Sequence, residues 1–422
     1  MKKKYYEVKR VFQHVNRRMQ TMLYTPEGES PYVNVGVLII HSDSDYLDFP
    51  AAWELAKRGY RVLCANVVNR LKPLDEKIED VKSAFAYLKA QPGIEKIVLL
   101  GHSGGATLMS AYQSVAENGC EIFQGREKIV PIKNMEKPEA ADGLLLIDSN
   151  WGNGAMTLLS LDSAVIEEDS GRNLNPELDI YSPDNGFHED GAYYPEEFIR
   201  KYMKAQRERG RKLIEKARER LEKIEAGKGK YTDDEPFIIP AGDQIAFNNK
   251  LFPQDIRLLS HTKQEWEVIR GDGTRTKEIV KTLRRPMGTK AESAAYAGSA
   301  LATTVRTFLK SNAVLANEEY YLDETGIYGI DYRSSYCCTP GNVEHIKTPM
   351  LIMGMTAGYE FMAAEEIYTR AASKDKSLIF VEGVNHPLRA AVECERYPGE
   401  FENSVGHMFD YISRWLEERY IL

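Results

Sequence analysis

Ser103 sits in Gly101-His102-Ser103-Gly104-Gly105, directly after the apolar run Ile97-Val98-Leu99-Leu100 and before Ala106-Thr107-Leu108-Met109-Ser110-Ala111-Tyr112. A G-x-S-x-G turn between a strand and a helix forces the serine into a strained backbone conformation. Its hydroxyl then projects above the sheet over a helix N-terminus. The N–H of the following residue, Gly104, points where negative charge would collect on an attacked carbonyl. The chemistry this implies is nucleophilic attack by Ser103, which requires a base. Of the eight histidines, His386 alone combines a late chain position with a preceding strand signal, Ser377-Leu378-Ile379-Phe380-Val381. It is the expected proton acceptor. His102, inside the turn, reads as a packing or hydrogen-bonding residue at the edge of the substrate site.

Four short apolar runs frame this turn: Val35–Ile40, Arg61–Ala65, Ile97–Leu100 and Gly143–Ile147. Their continuity predicts strands buried on both faces of a parallel sheet. Helical spacing of apolar residues lies between them, at Pro50–Arg58 and Asp75–Lys89. The alternation predicts an α/β fold with a doubly wound, mostly parallel sheet. It stops after Ile147 and resumes at Met350–Gly354 and Ser377–Val381, with a closing amphipathic helix at Val405–Glu418. Residues 1–150 and 346–422 are therefore assigned to the core, and 151–345 to a mostly helical insertion after the sixth strand. The stretch Glu196–Glu225 interleaves Lys, Arg and Glu around a narrow apolar seam and predicts one long solvated helix, with Gly210 as a weak point.

The strand, the Gly101–Gly105 turn and the late histidine resemble the α/β-hydrolase superfamily with a large inserted cap. The resemblance covers roughly residues 30–155 and 345–422. It implies a serine hydrolase that needs no cofactor and cleaves a carboxylic ester or related acyl compound of small to medium size. Amide, lactone or C–C hydrolysis by the same machinery stays open, as does a non-catalytic ligand-binding role. It also implies an oxyanion loop after the third strand, where His41-Ser42-Asp43-Ser44 stands. A backbone amide of Ser42 or Asp43 would then join that of Gly104, while His41 braces the loop or touches substrate. Relatives often place the triad acid at the position held here by Ala357. Three carboxylates could replace it: Asp148, which is favoured, Glu360 and Glu365. Ser149-Asn150-Trp151-Gly152-Asn153 is expected to border the pocket, with Trp151 either wedging core against cap or binding substrate.

Other classes are disfavoured. The formal net charge is -8, against the basic balance of a nucleic-acid binder. No run approaches the ~18 apolar residues of a membrane span, and no apolar segment follows the basic start, so a cytoplasmic protein is expected. Five cysteines at scattered positions build neither a disulfide framework nor a metal pair, and Cys337-Cys338 reads as two loop thiols. His188-Glu189-Asp190 could bind a metal only if adjacent side chains converged, so no metal is expected. No phosphate-binding glycine loop is present. The expected partner is a small-molecule substrate, with a homodimer through the Glu196–Glu225 helix left open.

Overall fold

The computed structural model describes residues 5–169, 173–188, 190–244, 250–286 and 300–421. Its centre is a mixed sheet of ten strands: β1 (Val8–Val15), β2 (Met19–Pro26), β3 (Val35–His41), β4 (Arg61–Asn66), β5 (Lys96–His102), β6 (Gly143–Ile147), β7 (His261–Ile269), β8 (Arg275–Lys281), β9 (Met350–Met355) and β10 (Lys376–Val381). The spatial order is β1-β2-β4-β3-β5-β6-β9-β10-β7-β8. The inner strands from β4 to β7 pair in parallel, and only the pairs β1–β2, β2–β4 and β7–β8 are antiparallel.

Alternate residues of each inner strand feed two separate apolar layers, as a side-chain period of two demands. Val37, Ile39, Val98, Leu100, Leu145, Ile147, Leu351 and Met353 pack on one face. That face is covered by helices α1 (Pro50–Ala56) and α7 (Ser404–Tyr420). Leu38, Ile40, Leu99, Leu144, Leu146 and Ile352 pack on the other, under α2 (Leu74–Lys89), α3 (Gly104–Asn118) and α6 (Phe361–Arg370). The α/β expectation, with its parallel centre and helices on both faces, is what the chain forms.

The segment between β6 and β9 differs from a mostly helical, separate cap. It carries α4 (Asn153–Leu159) and the predicted long helix, α5 (Glu196–Glu225), uninterrupted at Gly210. A Cβ on Gly210 would lie 2.8 Å from Leu158 Cδ1, so the glycine admits α4 against α5. The same segment also carries strands, and two of them, β7 and β8, extend the central sheet: β7 runs parallel to β10 through Val268 and Ile269. Its apolar residues, Tyr202, Leu213 and Phe252 among them, share one continuous cluster with the α2–α3 face. The seam of α5 (Met203, Leu213, Ala217) is thus buried within the chain and not exposed for a second copy.

Glu365 explains part of this attachment. Its carboxylate, on α6, accepts from the Lys263 and Gln264 amides at 2.9 and 3.1 Å and from Trp266 Nε1 at 2.8 Å. It ties β7 to α6. The Cys337-Cys338 thiols lie in a loop, as expected, and are fully buried. Glu189 lies outside the described residues. Among the described residues, no helix is long and apolar enough to cross a membrane.

Candidate active site

The site lies at the C-terminal ends of the inner strands, where β5, β6 and β10 each release one polar side chain. Ser103 follows β5 with φ 53° and ψ −129°, a left-handed conformation that an L residue adopts only under constraint. The glycines on either side supply the constraint. A Cβ on Gly101 would lie 2.5 Å from Ala106 Cα, and one on Gly105 would lie 2.8 Å from the Ile40 carbonyl oxygen. Strand, turn and helix therefore interlock only if both positions lack a side chain. Helix α3 begins at Gly104, so its amide dipoles converge beneath the Ser103 hydroxyl.

Ser103 Oγ stands 2.9 Å from His386 Nε2. The opposite ring nitrogen, Nδ1, lies 2.7 Å from Asp148 Oδ2. Asp148 ends β6 with φ 45°, a region that aspartate tolerates better than most residues. It is fully buried, and its other oxygen accepts from the Met355 amide at 2.8 Å. The acid is fixed on both sides, and the imidazole is oriented with Nε2 toward the serine. Burial pushes the Asp148 carboxyl up to about 6, against the pull of His386. For His386 burial acts downward, but the Glu360 and Asp148 charges outweigh it and raise the imidazole to about 9.

Of the three candidate acids, Asp148 is the one in hydrogen-bond contact with the histidine. Glu360 is a near neighbour, its Oε1 3.9 Å from His386 Nδ1, while Oε2 accepts from the Tyr359 amide at 3.1 Å. Glu365 is not brought to the histidine, because both its oxygens are held by β7. Ala357 donates its amide to the Val384 carbonyl and helps shape the turn that carries His386.

For His102 and Trp151 the packing alternative holds and the substrate-binding one is corrected. His102 is buried beside His386, with ring centroids 4.6 Å apart, and does not line the cavity. Its Nε2–H donates to the His386 carbonyl at 2.7 Å. Nδ1 then accepts from the Tyr46 hydroxyl at 2.6 Å. Burial holds this imidazole well below its usual range, so it is a neutral brace for the backbone of His386. Trp151 is buried in the core as a wedge, and its neighbours Asn150 and Asn153 face the cavity in its place. Tyr46, which stacks on both His41 and Phe49, had no motif to mark it.

His41 does line the cavity. Its Nδ1 receives the Asp43 and Ser44 amides at 3.2 and 3.0 Å and closes the loop after β3. The Ser42 hydroxyl accepts from Asn153 Nδ2 at 3.3 Å, packed so closely on Gly104 that a Cβ there would come within 2.8 Å of it. The Ser42–Asp43 turn is thereby brought against the first amide of α3. The cavity over Ser103 has a volume of about 440 Å³. Atoms of His102, Asp148 and His386 with ligand chemistry lie within 4.8 Å of one another, but each has a protein partner in the contacts above.

A strained serine turn after a central parallel strand, an aspartate after the next strand and a histidine after β10 occur here in the order Ser, Asp, His. The chain has an α/β-hydrolase fold. No family model and no curated protein matches the sequence. Among solved structures it is similar to a siderophore hydrolase, EstB from Aspergillus fumigatus, at 12% identity and TM-score 0.43, covering 98% of each chain. A hypothetical protein from Pseudomonas aeruginosa aligns at 12% identity and TM-score 0.42, over 97% of this chain and 94% of that one. A dienelactone hydrolase from Anabaena variabilis aligns at 9% identity and TM-score 0.38, over 98% of each chain.

Proposed function

We propose that this protein is a serine hydrolase that cleaves a carboxylic ester, or a related acyl compound of small to medium size, through an acyl-enzyme. The observation that carries the reading is the continuous hydrogen-bond line from Ser103 through His386 to the buried Asp148, opening into a cavity. Ser103 Oγ bonds to the acyl carbon as its proton passes to His386 Nε2. The resulting oxyanion receives the Gly104 amide and one amide of the Ser42–Asp43 turn, each such donor being worth roughly 10²–10³-fold in rate. The C–O bond to the leaving group then breaks, and His386 returns the proton to the departing oxygen. Water repeats the sequence against the acyl-enzyme and frees Ser103. Asp148 holds the imidazole in the required tautomer and stabilises its charged form.

Intact mass after exposure to a fluorophosphonate tests the assignment. One adduct is expected on wild type and none on Ser103→Ala. Folded wild type that stays unlabelled by both the fluorophosphonate and a smaller sulfonyl fluoride overturns it. The rate of labelling also carries a pH signature. His386 accepts the serine proton only when neutral, and its folded value is raised to about 9. Labelling is therefore expected to accelerate as pH rises from 7 toward 9. Glu360→Gln removes the larger of the two raising charges and is expected to move this limb to lower pH. A limb at the ordinary histidine value of about 6.5 in both proteins would contradict the electrostatics.

A further inference from the structure

The cavity over Ser103 has an unusual wall for an enzyme that would take a fatty acyl chain. Three carboxylates from three separate parts of the chain line it: Asp43 after β3, Asp243 in the insertion and Glu360 after β9. Side-chain amides of Asn150, Gln244 and Asn312 fill much of the space between them, while Met156 and Leu301 are the aliphatic contributions among the described residues. No described lysine or arginine lines it.

Two of the three amides donate to protein, while Asn150 Oδ1 accepts from the Gly152 amide at 2.9 Å, which leaves its amino group as a donor. Gln244 Nε2 donates to the Asn153 carbonyl at 3.0 Å, and Asn312 Nδ2 to Thr157 Oγ1 at 3.2 Å. The wall thus offers a ligand the acceptor oxygens of three carboxylates alongside the Asn150 donor. The matching cations lie behind it. Lys77, Lys250 and Arg284 are 3%, 1% and 9% exposed, and none opens into the cavity. Lys77 acts electrostatically on Asp43, Lys250 on Asp243 and Glu360, and Arg284 on Glu360. Burying a cation is expensive unless a partner charge compensates it. Here each of the three cations acts on a cavity carboxylate from behind the wall, and an ionised carboxylate accepts without donating. Asp43 illustrates the result. Burial acts to raise it, yet the Lys77 charge and the Ser42 hydroxyl, which donates to its Oδ2 at 3.1 Å, act to lower it, while its side chain stays 46% exposed.

We infer that the acyl or alcohol portion of the substrate carries hydrogen-bond donors and no negative charge, as a protonated amine or a hydroxylated chain does, and that Asp43, Asp243 and Glu360 receive those donors. An alkyl chain of the same size would strip water from these oxygens without replacing its hydrogen bonds, and an anionic group would meet like charge. The inference rests on Ser103 being the nucleophile of this cavity.

Three 4-nitrophenyl esters of equal length test it: butanoate, 3-hydroxypropanoate and 3-aminopropanoate. They share a leaving group and differ at one terminal atom. The hydroxyl or the ammonium ester is expected to exceed butanoate in kcat/KM by at least about tenfold, the scale of one hydrogen bond to a charged acceptor. A lead for the ammonium ester that shrinks in salt identifies a cationic substrate, and a lead for the hydroxyl ester alone identifies a neutral one. Asp243→Asn, which removes one of the three cavity carboxylates, is expected to reduce the preference several-fold. Butanoate turnover equal to or faster than both others, on wild type that labels at Ser103 with fluorophosphonate, overturns the inference and leaves the nucleophile in place. Absence of labelling overturns the nucleophile assignment instead.

Discussion

Asp148→Asn is expected to lower kcat/KM by roughly 10⁴-fold, with Glu360→Gln staying within about tenfold and Glu365→Gln within about threefold of wild type. Asparagine preserves the size of the side chain, and its oxygen can still accept the Met355 amide seen at 2.8 Å. Its Nδ2 then faces His386 Nδ1 and donates to it. That forces the proton onto Nε2, the nitrogen that has to accept from Ser103. The base is lost without disturbing the backbone. Glu360 stands 3.9 Å from His386 Nδ1 and acts through space, so its loss moves the pH profile more than the maximal rate. Glu365→Gln breaks a different structure, since one of its two oxygens becomes a donor facing donors on β7. A buried hydrogen bond to a charged group is worth about 1.5–3 kcal/mol, so this variant is expected to melt several degrees earlier while turning over normally. Steady-state kinetics and calorimetry on the three proteins decide the matter. Near-normal turnover in Asp148→Asn alongside a thousandfold loss in Glu360→Gln would move the acid to Glu360.

The parts of this site that were legible in the sequence are those fixed by local geometry. Gly101-His102-Ser103-Gly104-Gly105 has one way to join a buried strand to a helix, and the chain takes it. His386 and Asp148 were accessible because each follows an apolar run too short and continuous to be anything but an inner strand. The long helix was readable end to end from its seam. What escaped was set by tertiary contact. Strand β7 is polar along most of its length, Lys263, Gln264 and Glu265 being exposed in succession, because it meets β10 only through Val268 and Ile269 near its end. A pattern of that kind carries no mark of membership in a central sheet. The hairpin β1–β2 escaped similarly, although Asn16 and Arg17, with φ 51° and 62°, form the left-handed pair typical of tight hairpins. Asp243, Gln244 and Asn312 belong to no motif, and only the folding of the insertion over β5 brings them to Ser103. Trp151 drew attention by its size, and size is what buried it, leaving its smaller polar neighbours at the cavity.

Gly101→Ala tests whether the turn itself is indispensable, and it is expected to lower stability by roughly 3 kcal/mol or more and turnover by at least about a hundredfold. The added methyl would lie 2.5 Å from Ala106 Cα, 2.9 Å from Ala106 N and 3.0 Å from the Gly105 carbonyl oxygen. All three are backbone atoms of the first turn of α3, so no side-chain rotation relieves the overlap. The helix has to move away from β5, and it carries with it the Gly104 amide and the backbone that strains Ser103. A displacement near 1 Å at a reacting atom is enough for a loss of about a hundredfold. The control is Gly406→Ala in α7, where nothing lies within 4 Å of the added methyl. Alanine is the better helix former there by up to about 1 kcal/mol, so that variant is expected to melt at or slightly above wild type with unchanged kinetics. Denaturant melts and fluorophosphonate labelling of both variants separate the effects. If Gly101→Ala folds with wild-type stability and labels at the wild-type rate, then the strand-to-helix packing does not hold Ser103 in its strained conformation, and the φ of 53° has to be maintained from the cavity side, by the His386 contact and the Ser42–Asp43 turn.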